Sequence, residues 1–304
     1  MKSNIAFSII IPTYNRASAL KRCIDSVLNQ TVRPKEILII DDGSLDNTKD
    51  VVEAYSDETI IYIRKENGER GAARNTGILK ASGDYITFLD SDDLLYKDYF
   101  EKALSFILHN DYPEIFNLGY NITEATTGRV IKVINDFRPS VNLLLPEGNV
   151  LSCHAVFMKS DICRKNLFIE DRNLAGLEDW EYWLRLSSKY NFKSCNVIAS
   201  TMIQHPERSV VNYKMEDLIN KGNLLIQYVF SNPGFHEQYG KYKRIFKASV
   251  YSYISLHLIL SGRFRMHALK YLLISIYYNP FIIKKRRFFA ILKLLFKSLW
   301  LKKI

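Results

Sequence analysis

Residues 85–93 read Tyr-Ile-Thr-Phe-Leu-Asp-Ser-Asp-Asp, an apolar run that ends in three carboxylates. An unbroken apolar run of this length is typical of a strand buried on both faces of a parallel sheet. Similar runs precede it, and segments with helical spacing lie between them. Strand–helix alternation with short connections predicts a doubly wound α/β domain. The earlier runs are Phe7–Ile11, Ile37–Ile40 and Thr59–Ile63.

The segments between these runs are predicted to be amphipathic helices. Leu20, Ile24 and Val27, for example, fall on one face of a helix. In doubly wound sheets ligands bind beyond the carboxyl ends of the strands. The polar clusters of this sequence follow those ends, so a binding site is expected there. The helices are predicted over 17–29, 46–55 and 72–81.

Asp90 and Asp92 are the first candidates for chemistry. Alternation in an extended segment puts both carboxylates on one side, where they repel each other unless a cation is present. A divalent metal would remove the repulsion, and a diphosphate would supply its remaining oxygen ligands. The same pattern also fits a solvated acidic turn that caps the next helix. Asp-x-Asp alone does not decide between the two.

Three further motifs accompany this one in a fixed order, each at a predicted strand end or helix start. Together the four resemble the nucleotide-sugar-binding half of the family 2 inverting glycosyltransferases, which share the Rossmann-like GT-A fold. The resemblance is close over about the first hundred residues and looser over the next hundred. It implies a bacterial hexosyl- or N-acetylhexosaminyl-transferase of surface polysaccharide synthesis that uses a nucleotide-sugar, UDP-linked, as donor. The motifs are Ser8–Arg16, Ile39–Thr48, Gly71–Gly77 and Phe88–Asp93.

The resemblance also implies nucleotide-binding roles for individual residues. Tyr14 would stack on or cover the base, and the acceptor-only carboxylate of Asp42 would receive a base N–H. Arg74 would approach the base or the phosphates, and Asp90 would hold the ribose. Turn and helix-cap chemistry explains several of the same residues equally well. The full predicted set is Pro12, Tyr14, Asn15, Asp42, Arg74, Asn75, Asp90 and Ser91.

For the metal, Mn²⁺ or Mg²⁺, the resemblance implies Asp92 and a later histidine, His205. An imidazole ligand suits Mn²⁺ better than Mg²⁺. His205 can equally be a surface-loop residue. His154 lies in an apolar run, where a core role and an acceptor-site role stay open. Asp93 is expected to cap the next helix or to support its neighbours.

Glu178-Asp179 is the second catalytic candidate. In the family an acidic pair supplies the general base that deprotonates the acceptor hydroxyl, which implies Asp179 as the base and Glu178 as its neighbour. Inversion needs one in-line displacement, so one base is enough. The alternative is the acidic N-terminus of a helix predicted over Glu178–Tyr190, which the helix dipole favours.

The positive charge is concentrated near the C-terminus. From Gln238 to Ile304 the sequence has fifteen Lys and Arg and no Asp or Glu, whereas the first 237 residues hold 27 basic and 32 acidic residues. In 281–304 a basic cluster, Lys284–Arg287, precedes an apolar helical face. A basic amphipathic helix predicts peripheral contact with a membrane, although packing on protein is the alternative. The face comprises Phe288, Phe289, Leu292, Leu295, Phe296 and Leu299.

These patterns predict a GT-A domain over 1–212, with a donor half (1–100) and an acceptor-side half (101–212), and a helical basic region over 213–304. We expect a glycan or lipid-linked glycan acceptor, a location on the cytoplasmic face of the cell membrane and no nucleic-acid partner; an oligomer is possible. The four scattered cysteines and the start of the sequence favour free thiols in a reducing cytoplasm. Alternative functions are a nucleotidyltransferase or a non-catalytic scaffold of the same fold.

Overall fold

The computed structural model describes residues 5–205 and 214–300, and for 297–300 only the backbone. These residues form two compact units whose segments alternate along the chain. The boundary predicted at residue 212 lies outside the described residues. The sheet unit comprises 5–141, 150–175 and 190–205, and the helical unit comprises 142–149, 176–189 and 214–300.

The sheet unit is built on a nine-stranded mixed sheet of order β3-β2-β1-β4-β8-β6-β9-β5, with β7 paired to β6. The first four strands in this order are mutually parallel. β8 is antiparallel to both β4 and β6. The strands are β1 (Phe7–Thr13), β2 (Glu36–Asp41), β3 (Ile60–Arg64), β4 (Tyr85–Phe88), β5 (Leu94–Leu95), β6 (Ile115–Glu124), β7 (Val130–Ile134), β8 (Val156–Lys159) and β9 (Lys193–Gln204).

Helices cover both faces of the parallel part. On one face Ile9 and Ile11 pack into a core with α1, α4 and neighbouring strands. On the other face Ile10 meets α3 so closely that a Cβ on Gly77 would lie 2.5 Å from Ile10 Cγ2. Successive side chains of a strand point to opposite faces of the sheet, so β1 contributes alternate residues to the packing on each face. The first six helices are α1 (Ala17–Leu28), α2 (Thr48–Glu53), α3 (Glu69–Lys80), α4 (Tyr99–His109), α5 (Val141–Leu144) and α6 (Ser160–Lys165).

The predicted doubly wound α/β arrangement is confirmed, with strand and helix ends shifted by up to a few residues. α3 begins at Glu69 rather than at Ala72, so Gly71 lies inside the helix. A Cβ on Gly71 would lie 2.7 Å from the carbonyl oxygen of Ile169. Glycine therefore permits close approach of the 168–170 segment to the helix.

A buried carboxylate ties β1 and β2 to the end of α3. Glu36 Oε1 accepts hydrogen bonds from Ser8 Oγ at 2.5 Å and from the amide and hydroxyl of Ser82 at 2.5 and 3.0 Å. Burial by itself raises the pKa of Glu36, but these hydrogen bonds lower it, and the net pKa lies below its ordinary value of 4.5. The network therefore stabilises the fold through the ionised form.

The helical unit holds the remaining helices and the segment 142–149. The helix predicted at Glu178 is confirmed, and its tryptophans are buried. The helix predicted in the tail is present from Arg286, after a 3₁₀ turn over Pro280–Lys284. Among the described residues no helix is long and apolar enough to cross a membrane. The helices are α7 (Glu178–Ser187), α8 (Met215–Ser231), α9 (Pro233–Tyr239), α10 (Lys243–Leu260), α11 (Arg265–Tyr278) and α12 (Arg286–Trp300).

Trp180 is the centre of the helical unit's core. Its indole Nε1–H donates to the carbonyl oxygen of Leu145 at 2.9 Å. Its ring packs edge-on against Phe246 of α10, with centroids 5.5 Å apart. A buried indole needs such a partner for its N–H. The contact joins α7, α10 and the turn at 145–147 into one packed group.

Candidate active site

The strand order reverses direction between β1 and β4, because β2 and β3 lie on one side of β1 and β4 lies on the other. Such a switch point opens a crevice at the carboxyl ends of the strands. In the register, Thr13 pairs with Asp41 and Ile10 with Phe88. The predicted motifs at residues 14–15, 42 and 90–92 follow these three strand ends. The sheet therefore brings the sequence-predicted donor motifs to one edge.

Tyr14 and Asn15 form the turn after β1. Asn15 has a φ of 49°, in the left-handed region that asparagine tolerates better than most residues. Its amide N–H donates to Ser44 Oγ at 3.0 Å, and its Oδ1 accepts from the Leu45 N–H at 2.7 Å. The Tyr14 side chain is 45% exposed. Asn15 thus ties this turn to the turn after β2 and leaves the Tyr14 ring accessible. Pro12 is buried within β1.

Asp42 is engaged with the loop that follows β3. Its Oδ1 accepts from Lys65 Nζ at 2.8 Å and from the Gly68 N–H at 2.9 Å. Its Oδ2 accepts from Asn67 Nδ2 at 3.1 Å and from the Glu69 N–H at 2.8 Å. A carboxylate offers about four acceptor positions. Asp42 is thus an organiser of residues 65–69, a role that its position in a strand-end motif does not reveal.

Arg74 and Asn75 point to different partners from adjacent positions in α3. The buried Arg74 guanidinium donates to Asp90 Oδ1 at 2.8 Å and stacks 5.4 Å from the ring centroid of Phe168. Asn75 Nδ2 donates to the Phe168 carbonyl and to Glu170 Oε1, and its Oδ1 accepts the Phe168 N–H. Arg74 therefore orients Asp90, whereas the Asn75 amide fastens the 168–170 segment.

Two carboxylate–histidine pairs follow β4 at successive positions. Asp92 Oδ2 lies 3.0 Å from His205 Nε2, and both side chains are partly exposed. Asp93 Oδ2 lies 3.2 Å from His154 Nδ1, and both side chains are fully buried. Asp93 Oδ1 also accepts the Ile203 N–H at 2.9 Å, two residues before His205. Asp93 of the buried pair thus holds the end of β9. The partly exposed Asp92–His205 pair uses the neighbouring carboxylate and the residue that follows this strand.

The Asp93–His154 pair has no signal in the local sequence. His154 lies 61 positions after Asp93 and reaches it because β8 pairs with β4. His154 therefore belongs to the core, one of the two roles open from the sequence. Ser91, which precedes both pairs, is buried as well. Burial raises the pKa of the Cys23 thiol. The nearby negative charges of Asp93, Asp92 and Asp90 raise this pKa further.

The residues at this edge fit a divalent cation in part. Within 5–205 and 214–300, no group of three or more His, Cys, Asp and Glu side chains could hold a metal ion. Asp92 and His205 offer one carboxylate and one imidazole close together. Such a donor set suits a site that protein ligands fill incompletely and phosphate oxygens complete, with imidazole favouring Mn²⁺.

In the helical unit the acidic pair splits into two environments. Glu178 is buried, and its Oε2 accepts the Gly176 N–H at 2.5 Å. Asp179 is partly exposed, and it accepts the Trp180 N–H at 2.7 Å and Asn149 Nδ2 at 2.9 Å. Glu178 thus shapes the turn before α7, while Asp179 keeps solvent access. Sequence reasoning missed Asn149, which lies 30 positions upstream of Asp179.

The basic tail is also divided. Lys285 pairs with Glu147, and Arg287 Nη1 donates to the Ser249 carbonyl at 3.2 Å and to Ser252 Oγ at 3.1 Å. Lys284 Nζ lies 5.3 Å from the ring centroid of Phe281, so at least three of the four residues of the predicted basic cluster make contacts within the helical unit. Ile291 of α12 is fully buried. Of the predicted apolar face, Phe289 and Phe296 are exposed, Phe288, Leu292 and Leu295 are partly buried, and the side chain of Leu299 lies outside the described residues.

Comparisons with known proteins agree with this arrangement. The model of the family "Glycosyl transferase family 2" matches residues 8–164. An uncharacterized glycosyltransferase of Haemophilus influenzae is 30% identical over 251 residues, 81% of this chain and 94% of that protein. One of Rickettsia felis is 37% identical over 185 residues, 60% of this chain but only 30% of the relative. The chain thus spans under a third of the length of some relatives it matches.

Solved structures show the same fold at low sequence identity. S. aureus TarS 1–349 in complex with UDP-GlcNAc has a TM-score of 0.61 at 16% identity, covering 91% of this chain and 92% of that one. The mannosyltransferase PcManGT from Pyrobaculum calidifontis, in complex with GDP-Man and Mn²⁺, has a TM-score of 0.56 at 17% identity, covering 97% and 87%. The predicted GT-A fold is confirmed, and with four motifs gathered at the switch point of its sheet the chain belongs to glycosyltransferase family 2.

Proposed function

We propose that this glycosyltransferase is an inverting, metal-dependent enzyme that moves a hexosyl or N-acetylhexosaminyl group from a UDP-sugar to a glycan acceptor. One observation carries the proposal: Asp92 and His205 lie 3.0 Å apart at the switch point, two residues from the Asp90–Arg74 ion pair. Metal-ligating and ribose-binding groups are thus available together. The complex of TarS with UDP-GlcNAc supports this class of donor.

In this proposal the nucleoside lies against Tyr14, Asn15 and Pro12, with the exposed Tyr14 ring covering the base. Asp90 binds the ribose hydroxyls and is oriented for this by Arg74, whose guanidinium is itself held against Phe168. Asn75 contributes by holding the 168–170 segment. Ser91, buried between Asp90 and Asp92, belongs to the same proposed nucleotide-binding set.

Asp42 can take a base N–H only by exchanging one of its four present hydrogen bonds. We infer that the loop 65–69 adjusts when the base binds. Lys65 is the natural donor to leave, because its long side chain can move without a change in the backbone. Base recognition and loop position are then linked through one carboxylate.

Asp92 and His205 would hold the metal, Mn²⁺ or Mg²⁺, together with the diphosphate. When bound, the ion supplies Lewis-acid stabilisation of the negative charge on the leaving diphosphate. The buried Asp93 carboxylate supports this pair, because it fixes the backbone of Ile203 close to His205. The Mn²⁺ in the complex of PcManGT, which shares the fold, supports the proposal of a divalent ion here.

Asp179 is the proposed general base. Its carboxylate accepts the proton of the acceptor hydroxyl as the oxygen attacks the anomeric carbon, and the bond from that carbon to the diphosphate breaks on the opposite side. One such displacement inverts the anomeric configuration. Asp179 suits the role better than Glu178, because Asp179 is partly exposed whereas Glu178 is buried and bound to the Gly176 N–H.

Two substitutions test the division of roles. Asp92→Asn and Asp179→Asn should each leave only a small residual rate of transfer, measured as release of UDP with a panel of UDP-sugars. Only Asp92→Asn should weaken metal-dependent UDP binding, followed by calorimetry with and without Mn²⁺. Near-normal turnover in Asp179→Asn would disprove the base. Pyrophosphate as product would indicate a nucleotidyltransferase, and no turnover with any donor would favour a non-catalytic scaffold.

For the acceptor we propose a lipid-linked glycan of surface polysaccharide synthesis, reached from the cytoplasmic face of the membrane. The support is an exposed apolar surface on the helical unit, which we call the lipid face. It is formed by apolar residues at helical spacing on α11 and by one in the turn after it. No acidic residue occurs from 238 to 304, so this region complements an anionic bilayer. The lipid face comprises Met266, Leu269, Leu273, Tyr277 and Phe281.

Vesicle binding tests the lipid face. The full chain should co-sediment with vesicles containing phosphatidylserine, and less so as salt is raised. Leu273→Glu should reduce binding at least severalfold. The matched control is Leu79→Glu, which changes a similarly exposed leucine of α3 (61% against 57% exposed). Equal binding by the two variants, or preference for DNA at matched salt, would rule out this surface.

A further inference from the structure

Asp179 is held from both of its oxygens. Oδ1 accepts the N–H of Trp180 at 2.7 Å, and Oδ2 accepts the side-chain N–H of Asn149 at 2.9 Å. The first donor is backbone and is set by the start of α7. The second comes from a separate segment, so the plane of the carboxylate depends on where that segment lies.

The segment that carries Asn149 is fastened by several contacts within the helical unit. The carbonyl oxygen of Leu145 accepts the indole N–H of the buried Trp180 at 2.9 Å. The backbone carbonyl of Glu147 accepts the hydroxyl of Ser249 on α10, and its carboxylate pairs with Lys285. The turn at 145–149 is thus held at its start by α7 and at its end by α10 and the C-terminal segment.

Arg287 adds a second contact from the C-terminal segment. Its Nη2 lies 3.3 Å from the position that a Cβ on Gly148 would occupy, so it lies against the backbone next to Asn149. Its Nη1 donates to Ser249 and Ser252 on α10. Burial of the guanidinium lowers its pKa, although Arg287 stays partly exposed. A residue of the basic cluster therefore packs against the turn that carries Asn149.

We propose that Asn149 is a positioning residue for Asp179, and that Lys285 and Arg287 hold the turn that carries it. The C-terminal basic segment is then part of the acceptor-side machinery in addition to any contact with lipid. This inference rests on the proposed role of Asp179 as general base. An amide donor fits the task, because it orients a carboxylate without the charge of a cation.

The primary test is Asn149→Ala. Loss of a hydrogen bond to a charged group should lower kcat about ten- to hundredfold, while KM for the UDP-sugar stays within about twofold. Asn149→Gln, which keeps the amide, should recover part of the loss. Thermal unfolding of both variants should match the wild type. Normal kcat in Asn149→Ala would overturn the inference.

A double-mutant cycle separates positioning from a general structural defect. In the Asp179→Asn background, Asn149→Ala should cause little further loss of residual kcat, because its effect passes through the same carboxylate. Losses that multiply would overturn the inference and leave Asp179 as the base. Near-normal activity of Asp179→Asn alone would overturn both.

The C-terminal link has its own matched pair. Lys285→Gln should lower kcat severalfold with a soluble acceptor and no lipid present, since Glu147 loses its partner. Lys241→Gln removes an equal charge from an exposed site in the same unit and should leave kcat unchanged. Equal kcat values for the two variants would show that the C-terminal segment does not support the turn.

Discussion

Replacement of Asp93 by alanine should expose how the donor edge is supported. The fully buried carboxylate accepts the Ile203 N–H at 2.9 Å, and its Oδ2 lies 3.2 Å from His154 Nδ1. Loss of this acceptor leaves the Ile203 N–H unpaired, which costs about 1–3 kcal/mol. His154 Nδ1 keeps Ser152 Oγ as a partner at 3.1 Å. We therefore expect Asp93→Ala to lose about 1–3 kcal/mol of unfolding free energy.

Urea unfolding at neutral pH measures this loss directly. Asp93→Asn keeps an acceptor for the Ile203 N–H and should lose less than about 1 kcal/mol. Asp161→Ala, which removes a 61% exposed carboxylate, should stay within about 0.5 kcal/mol of the wild type. Mn²⁺-dependent UDP binding should weaken in Asp93→Ala, because the backbone near His205 is released. A loss below about 0.5 kcal/mol in Asp93→Ala, no larger than that of Asp161→Ala, would show that the buried carboxylate does not hold the end of β9.

Three other substitutions test the contacts of Glu36, Gly77 and Asp42. The pKa of Glu36 is lowered in the folded protein, so the ionised carboxylate stabilises the fold above about pH 4.5, and this stabilisation is lost as the pH falls through the folded pKa. Glu36→Gln should therefore lose about 1–3 kcal/mol of unfolding free energy at pH 7. The urea midpoint of this variant should also fall less steeply than that of the wild type as the pH is lowered. Gly77→Ala should destabilise by about 1–3 kcal/mol in thermal unfolding, because its Cβ meets Ile10 at 2.5 Å, whereas Gly240→Ala has open space and should not. Asp42→Asn should lose about 2–4 kcal/mol of unfolding free energy in urea and weaken UDP binding. An unchanged free energy of unfolding would contradict the role of Asp42 in organising the loop 65–69.

Much of the donor half could be predicted from local patterns. Strands buried on both faces must be continuous apolar runs, so β1, β2 and β4 are visible without neighbours. Parallel strands end at one edge, which is why the motifs after residues 13, 41 and 88 could be assigned to a common site. The exact roles within those motifs could not be assigned in this way. Asp42 and Asn75 occupy motif positions, yet the structure uses their polar groups to fasten residues 65–69 and 168–170.

The parallel α/β core, the carboxylates at its edge and the basic character of the tail could be predicted from local sequence, because each depends on neighbouring residues along the chain. The partner of each carboxylate depends on the folded arrangement of the chain. Asp93 lies next to His154, which lies just before β8. Asn149 contacts Asp179, 30 positions later in the sequence, and Lys285 contacts Glu147, 138 positions earlier. Such pairs depend on how strands and helices pack, and a local pattern carries no information about that. The acidic motif after β4 therefore predicted a site, and the fold separated its accessible ligand, Asp92, from its buried support, Asp93.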